Sequence, residues 1–528
     1  MKNPLLITTC LLLFAANVIY SQNKTIPGKL TSPYPTIINL AINWEIKGDD
    51  NLNSTVTVRF REEGTEEWHT GMPLFRVPAG KNLGFTWTNK HSGSIFDLKP
   101  DTGYEILLSL SDPDGGSEER TIKAHTRAVP EAGSHAEFIR IKPGVYDTLR
   151  THSGTREKPV VYMADGGIAT FAHIDMRNRK WVYITGLNIE NNYKEGVGII
   201  LDGASDCMIK GCTIKSVYGM VADKPGAQNC YISDNILTGI CTWVNKSMGA
   251  HGDNVGEGIE LTGSGNVICY NKVTGFRDCI STMEDQRAAE QTCIDIYNND
   301  IYRGVDDAIE ADFCFSNCRI FRNRITNCFV GLSSQPGLGG PNYFYRNSMY
   351  NLTHGAFKFK RFSQGDVAMH NTVIKVGTGL GGNDSMDYAW FRNNLAIGGP
   401  TGGVKWGDYG PGNPYAADII KPKNHCSFDY DAVGSYEVPY VAKIGKLQFS
   451  EVEKHGIEDI TLGETFLNIP FPNPPVPERE LQDLRPRPGS KVIDAAVLIP
   501  NINDKYTGTA PDIGAYELGD EYPHYGPR

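Results

Sequence analysis

The sequence has few of the features that mark several common classes of protein. It contains no run of basic residues, and its 61 acidic against 51 basic residues give a net charge of −10. No nucleic-acid partner is expected, because nucleic-acid surfaces need clustered lysine and arginine. The absence of a Cys-x-x-Cys pair argues against a zinc site. After residue 21 no apolar stretch is long enough to cross a bilayer, so we expect no membrane insertion.

The first 21 residues differ from the rest of the chain. Lys2 precedes an apolar run from Leu5 to Ile19, which ends before Ser21. This is the shape of a secretory signal peptide and is too short for a membrane span. We therefore expect residues 1–21 to be a signal peptide and the mature protein to be exported, either periplasmic or secreted, as a monomer.

Export permits disulfides, but the cysteines favour another interpretation. Of the 12 cysteines, Cys10 lies in the signal segment, and ten of the remaining 11 fall between residues 207 and 328. Their number is odd, and they occupy strand-like runs. We expect them to be small buried side chains rather than a disulfide framework.

The abundance of glycine and proline indicates an all-β protein. The 57 glycines and 30 prolines favour many turns and short strands, while 40% hydrophobic residues suffice for a core. Residues 26–128 alternate short β-rich runs with turns. Residues 98–104, with Pro100 before Tyr104, resemble the corner of fibronectin type III domains. We expect a β-sandwich of that type there, acting as a spacer or docking module.

The strongest signal is a repeat between residues 138 and 400. A strand–Asn–strand unit recurs with spacings of 36, 28, 24, 24, 24 and 22 residues, and its asparagines are Asn235, Asn271, Asn299, Asn323, Asn347, Asn371 and Asn393. A period in the low twenties means stacked coils, and the flanking runs alternate with period 2 rather than 3.6. The pattern predicts a right-handed parallel β-helix with these asparagines stacked inward. Residues 401–528 read as further coils and an extended tail, with seven prolines between 470 and 488.

A second strand in most coils carries outward polar residues. Residues between buried positions must face outward, and successive coils lie about 4.8 Å apart. The predicted outward row consists of Glu260, Ser281, Glu310, Ser333 and Lys358, and a second row lies two residues on, at Thr262, Met283, Asp312, Gln335 and Lys360. One face of the solenoid therefore carries an acidic half and a basic half.

Over residues 138–517 the chain resembles a family of secreted β-helix enzymes that act on acidic polysaccharides. The similarity rests on residues 141–146 and 153–155 at the start, and on residues 493–496 and 511–517 at the end. It implies a polysaccharide lyase, a dehydratase of uronate-ended oligosaccharides, or a glycoside hydrolase. A sandwich ahead of the β-helix is similar to proteins that degrade algal sulfated polyuronates such as ulvan.

The outward rows supply candidate residues for β-elimination at a uronic acid. Lys358, Lys360 and Arg361 stand together and could neutralise the substrate carboxylate. A lysine crowded by other cations has a lowered pKa, so Lys358 is a candidate base, with His354 as an alternative. A sugar between Lys358 and Glu310, about 10 Å apart by strand spacing, would place Glu310 beside the leaving group. Glu260 and Gln335 are candidate substrate contacts on the same face.

Residues 306–312 supply an acidic cluster with two further interpretations. Some lyases of the resembled family hold Ca²⁺ with an acidic pair one residue apart, which implies a metal site at Asp307, Glu310 and Asp312. The lysine that follows that pair in the family is missing here. Paired carboxylates also serve glycosidases as acid and base, although the Gly-His-Gly triplet of polygalacturonase-like enzymes is absent.

The longest gap in the repeat, between Asn235 and Asn271, predicts a loop beside the groove. Trp243 could stack on a sugar ring, and His251 could act as a base. The favoured function is an exported carbon–oxygen lyase on uronate-containing, ulvan-like saccharides, releasing a sugar or water. A glycoside hydrolase and a non-catalytic glycan-binding solenoid remain alternatives. Ca²⁺ is the one candidate cofactor, and the expected partner is an acidic saccharide.

Overall fold

The computed structural model describes residues 22–191, 196–223, 225–282, 291–399, 405, 409–436 and 440–528. The predicted signal peptide and Met283 lie outside these residues. The chain is nearly all β, and its main body is a β-solenoid. No helix within the described ranges is long and apolar enough to cross a membrane.

The N-terminal module consists of seven antiparallel strands around one apolar core. In chain order they are Ile26–Thr31, Leu40–Lys47, Thr55–Glu62, His69–Val77, Lys90–Ile95, Gly103–Ser111 and Glu118–His125. A hairpin, Gly80–Asn82 with Phe85–Trp87, is inserted ahead of Lys90. The Tyr104 hydroxyl accepts a hydrogen bond from the Lys99 backbone N–H at 2.9 Å, which fixes the turn at Pro100. Assignment of residues 26–128 to the fibronectin type III class stays a prediction.

The solenoid is a parallel β-helix whose first sheet contains 12 strands, one per coil. These strands are Glu137–Ile141, Val160–Ala164, Val182–Thr185, Met208–Lys210, Tyr231–Ser233, Val267–Cys269, Asp295–Tyr297, Arg319–Phe321, Asn342–Tyr345, Asp366–Met369, Trp390–Arg392 and Ser427–Asp429. The parallel β-helix predicted from the repeat is confirmed. Parallel crossovers of this kind are right-handed in nearly all proteins.

Most of the remaining strands belong to one sheet of 18 strands, in which two rows of parallel strands run side by side along the solenoid. The second row is Gly144–Arg150, Ala169–Asp175, Asn188–Asn191, Thr213–Ser216, Ile236–Thr238, Lys272–Phe276, Asp300–Gly304, Arg324–Ser334, Ser348–Phe359, Thr372–Ile374, Leu395–Gly398, Ala432–Ser435 and Ile457–Thr461. The third row is Val197–Ile200, Tyr218–Ala222, Glu257–Leu261, Asp278–Ser281, Asp307–Glu310 and the later halves of Arg324–Ser334 and Ser348–Phe359. The third row carries the candidate site.

The coils continue beyond residue 400. A sheet of five strands contains Ser363–Gln364, Leu380–Asp387, Tyr415–Pro422, Val441–Ile444 and Leu447–Gln448. The helices are short: α1 is Phe449–Val452, α2 is Leu462–Thr465, and a 3₁₀ turn spans Asn245–Ser247. From residue 467 the tail runs over the coils without regular strands and ends with Arg528 paired to Asp234 at 2.8 Å.

Buried asparagines hold the coils in register along the turn between the first and second rows. The side-chain oxygen of Asn323 accepts from the backbone N–H and the side-chain amide of Asn299, at 3.1 and 3.0 Å. Asn323 in turn donates to Asn347 in the same way. The inward-facing stack predicted from the spacing is confirmed from Asn235 to Asn371.

The last predicted rung was wrong by one residue. Asn394, not Asn393, accepts from Asn371, and it passes the hydrogen bonds on to Asp431. Asn393 adopts a φ of 58° and donates instead to the Val497 carbonyl of the tail. The spacing from Asn371 to the next rung is therefore 23 residues, and not the 22 residues predicted from Asn393.

The edge formed by Arg322, Arg346 and His370, the residues before successive rungs, is covered by other parts of the chain. The Arg322 guanidinium pairs with Asp97 of the N-terminal module at 2.5 Å, and Arg346 donates to the Ile502 carbonyl of the tail. His370 is buried and lies 3.0 Å from the Gly514 carbonyl. The N-terminal module and the tail therefore occupy this edge, which leaves the third row as the polar face.

Removal of one mid-stack amide tests the importance of the asparagine stack. In Asn323→Ala, the donors of Asn299 and the Ile296 carbonyl lose their buried partner, so the free energy of unfolding should fall by about 3 kcal/mol. Urea unfolding followed by circular dichroism measures the change. Asn413→Ala, at an exposed amide bonded to Asp418, is the matched control and should cost less than about 0.5 kcal/mol. An equal loss in both variants would contradict the role of the stack.

Candidate active site

The predicted outward row exists with the predicted register. Glu260 pairs with Ser281, Ser281 with Glu310, Glu310 with Ser333, and Ser333 with Lys358, as parallel neighbours on successive coils. The buried residues Ile309 and Ala311 flank Glu310 in the chain and turn its side chain outward. This row forms the polar face of the third row of strands.

A cluster of three buried aspartates lies where the strands of this face begin. Asp278 and Asp307 each open a strand, and the Asp307 backbone N–H donates to Asp278 Oδ1 at 2.7 Å. Asp306 precedes the second strand. One carboxylate oxygen from each of the three lies within 4.8 Å of the others. We call Asp278, Asp306 and Asp307 the aspartate cluster.

Two cations of the chain face this cluster. The Lys358 ammonium donates to Asp307 Oδ2 and lies 3.6 Å from Glu310 Oε1. Arg277 Nε lies 3.5 Å from Asp278 Oδ2 and 3.7 Å from Asp306 Oδ2. The carboxylates outnumber these cations, so the cluster cannot hold all of its acids ionised without strong mutual repulsion.

Burial and neighbouring charges raise the pKa values of three acids, Asp306, Asp278 and Glu310. Burial, reinforced by Asp307 and Asp278, raises the pKa of Asp306 to about 8. Burial and Asp307 raise the pKa of Asp278 to about 6. The pKa of Glu310 is raised as well, through burial and the neighbouring carboxylates. Around neutral pH the Asp306 carboxyl is therefore mostly neutral.

Asp307 stands in a different environment from Asp306. Its Oδ2 accepts a charge-assisted hydrogen bond from the Lys358 ammonium. Its Oδ1 is buried and accepts no hydrogen bond from any residue in the described part of the chain. One oxygen of Asp307 is thus fixed by a cation, and the other is buried without a partner among these residues.

The predicted role of Lys358 as a base with a lowered pKa is wrong. Burial alone would lower the pKa of its ammonium, but Asp307, Asp312 and Glu310 outweigh burial and raise it. Lys358 is therefore a permanent cation. The long side chain also closes the gap to Glu310, so no sugar ring fits between these two residues. Of the two lysines at this strand end, Lys360 is the one whose pKa is lowered, because of burial and the neighbouring Lys358.

His354 belongs to a group of stacked rings. Its ring lies 4.8 Å from that of Phe329, and Tyr409 packs edge-on against both. His251 stacks on the other side of Tyr409 at 6.4 Å. We call these four residues the aromatic wall. The backbone register runs from Asp307 through Val330 to Gly355, which places the wall directly beside the aspartate cluster.

His354 does not have the environment of a strong base, and the role of His251 as a base stays a prediction. Burial lowers the pKa of His354 to about 4, and its Nδ1 lies 2.7 Å from the Gly410 carbonyl. Because a carbonyl only accepts, Nδ1 carries the proton and Nε2 is the acceptor. His251 is exposed on the loop. The wall therefore offers flat ring surface beside the acids.

The predicted sugar platform at Trp243 is wrong. Its side chain is buried with Met248, Val305 and Phe329, and its indole N–H donates to the Val476 carbonyl at 2.5 Å. Trp243 anchors the loop and the tail instead of facing a ligand. The other predicted contacts are distributed along the face: Gln335 and Lys360 are half-buried at its far end, and Arg361 is exposed beside them.

Two residues of the predicted Ca²⁺ site, Asp307 and Glu310, both contact the Lys358 ammonium. Asp312 is buried and accepts from the Ser333 hydroxyl, and only Asp307 of the predicted set belongs to the aspartate cluster. Ca²⁺ needs six to eight oxygen ligands, and Asp307 Oδ2 already accepts from the ammonium. Ca²⁺ binding by these residues stays a prediction.

The sequence analysis left Asp278 and Arg277 out of the site. A signal was present, since Asp278–Ser281 and Asp307–Glu310 carry an aspartate at the same position of equivalent strands. Tyr409 and Phe329 had no comparable signal, because residue 409 joins the wall through the fold of a distant segment.

Comparison with protein-family models and with curated proteins gives no match. Among solved structures, the family 28 exopolygalacturonase of Yersinia enterocolitica is similar to this chain. The identity is 11%, the TM-score is 0.32, and the match covers 83% of this chain and 99% of the other. Similarity at this level establishes no shared activity.

The raised pKa of Asp306 has a consequence for stability. An aspartate with a pKa near 8 when folded and about 3.9 when unfolded binds its proton more tightly in the folded state, so its stabilising effect is lost as pH rises through 8. Asp306→Asn keeps the neutral form. Its Tm at pH 8–9 should exceed that of the wild type by about 2 °C or more, with a smaller difference at pH 5. Thermal scans across pH measure this.

Asp253→Asn is the control for these scans, because Asp253 is exposed and paired only with Lys246 at 3.1 Å. Its pH dependence should match that of the wild type. A Tm difference between Asp306→Asn and the wild type that does not grow with pH would contradict a neutral Asp306.

Proposed function

We propose that the protein is a carbohydrate-active enzyme that hydrolyses glycosidic bonds in acidic poly- or oligosaccharides. The observation that carries this proposal is a buried carboxyl, Asp306, whose pKa is raised to about 8 and which lies within 4.8 Å of Asp307, the acceptor of the Lys358 ammonium. A carboxyl kept neutral near pH 7 by its surroundings is the arrangement that a general acid requires. The parallel β-helix is compatible with such an enzyme.

In this mechanism Asp306 is the proton donor. Its carboxyl protonates the glycosidic oxygen as the bond to the anomeric carbon breaks, which avoids expulsion of an alkoxide. Arg277, beside Asp306 and half exposed, then stabilises the carboxylate that remains. A donor with a pKa near 8 stays protonated at neutral pH and still transfers its proton readily.

Asp307 is the base in the same mechanism. Its Oδ1 is buried, so this role requires substrate binding to open a path for a water molecule, which gives its proton to Oδ1 as it attacks the anomeric carbon while Lys358 holds Oδ2 in place. Asp278 fixes the Asp307 backbone through its 2.7 Å hydrogen bond. Lys358 therefore acts as a positioning residue for Asp307, and this mechanism uses no metal.

The acidic substrate is inferred from the charges at the far end of the face. Lys360 and Arg361 follow Lys358 at the same strand end, where Lys360 is half-buried and Arg361 is exposed. These cations can contact a uronate carboxylate or a sulfate. The aromatic wall offers ring faces on which the apolar side of a sugar can pack.

β-Elimination is the second candidate, and Lys360 favours it. Its lowered pKa suits abstraction of a proton beside a uronate carboxylate. Export of the mature protein, a monomeric state and a uronate-rich, ulvan-like glycan belong to the same proposal and rest on the signal-like residues 1–21 and on the sequence resemblance.

Substitution at the acid tests the hydrolase proposal. Asp306→Asn should lower kcat on a galacturonate or ulvan oligosaccharide by about 10³-fold, or roughly 4 kcal/mol, with Asp253→Asn near wild type. New reducing ends measure hydrolysis, and absorbance of the unsaturated product measures elimination. A lyase would instead form reducing ends together with that absorbance. If Lys360→Met loses both signals and Asp306→Asn keeps them, the protein is a lyase and the hydrolase proposal is wrong.

A chelator separates the metal-free mechanism from a calcium-dependent one. Because Lys358 and Arg277 supply the positive charge at the aspartate cluster, activity should be unchanged after EDTA treatment and after addition of Ca²⁺. Activity assays on the dialysed enzyme measure this. Loss of activity with EDTA that Ca²⁺ restores would contradict the assigned role of these two cations.

A further inference from the structure

A cleft of about 540 Å³ separates the N-terminal module from the β-helix. One side is formed by Tyr34 and Lys90 of the module, and the other by Ser264, Thr292, Phe315 and Ser316 of three successive coils. Its volume lies within the range of small-ligand sites. The cleft lies past the carboxyl ends of the third-row strands, whereas the aspartate cluster lies at their amino ends.

Lys90 is the unusual residue of this cleft. It is only 6% exposed, yet no described residue forms an ion pair or hydrogen bond with its ammonium. The Phe315 ring lies beside it, with Nζ 6.0 Å from the centroid. Glu45, its partner on the neighbouring strand, attracts the ammonium from beyond ion-pair distance. A buried cation without an anionic partner in direct contact is costly, and most such groups are paired.

The remaining lining is suited to a polar ring-shaped ligand. Hydroxyl groups follow one another up the coils, with Ser264 Oγ 3.0 Å from Thr292 Oγ1 and Ser316 paired with Thr292 across the next step. Tyr34 is 39% exposed at the rim, where its ring can stack on a sugar. Burial lowers the pKa of Lys90 to about 8, and an anion in the cleft would restore it.

We propose that this cleft is a second saccharide-binding site, separate from the aspartate cluster, in which Lys90 binds the carboxylate or sulfate of an acidic sugar. The N-terminal module would then contribute to glycan capture in addition to covering the coil edge. This goes beyond the proposed hydrolysis and does not depend on it, because binding at the cleft is measured without turnover.

The test is hydrogen–deuterium exchange on the full chain in the Asp306→Asn background, with and without a galacturonate hexasaccharide. Binding at the cleft should slow exchange in peptides covering residues 30–45 and 86–95. Lys90→Met should abolish this protection and weaken the affinity measured there at least about tenfold. Lys81→Met, at an exposed lysine of the inserted hairpin, removes the same charge and should leave the protection intact.

Separate controls test whether the variants fold and which class of ligand binds. Lys90→Met removes a buried unpaired charge, so its Tm should equal or exceed that of the parent, and Tyr34→Ala provides a second variant at an exposed position. No protection of these peptides in the parent protein, or protection that survives both variants, overturns the site. Equal protection by neutral maltohexaose, or by sulfate alone, overturns the acidic saccharide as its ligand.

Discussion

The functional face depends on the parallel register between successive coils. Hydrogen bonds across the third row set equivalent residues about 4.8 Å apart, and the asparagine stack prevents a coil from slipping by one residue. A slip of one position would turn Glu310 and Lys358 inward and Ile309 outward. The same register brings Asp278 beside Asp307, so the aspartate cluster exists only because two strands begin at the same level.

Burial changes the pKa values of the acids that this register brings together. In water, an aspartate such as Asp306 is ionised at neutral pH. Inside the turn, removal of solvent and the proximity of like charges raise its pKa to about 8. The Lys358 ammonium meanwhile donates to its chain neighbour Asp307, so the two residues stand in different environments.

The sequence was sufficient for the parts of the structure that repeat. The asparagine spacing predicts the coils, and alternation within them predicts that Glu260, Glu310 and Lys358 share a face, since both follow from local periodicity. It was insufficient where distant segments meet. The contact of Lys358 with Asp307 depends on the reach of one side chain across two coils, and the burial of Trp243 depends on a tail more than 200 residues away. The rung after Asn371 is Asn394 and not Asn393, because this coil has one residue more before the rung than the sequence spacing predicted.

The proposed mechanism depends on a neutral Asp306 at neutral pH, and infrared difference spectroscopy tests this protonation state directly. Spectra of the wild type minus Asp306→Asn isolate the carbonyl band of this one protonated carboxyl from those of other buried acids such as Glu310. We expect a protonated-carboxyl band at pH 7 that disappears with a midpoint near pH 8. A difference spectrum with no such band at pH 7, or one that titrates near pH 4, would contradict it.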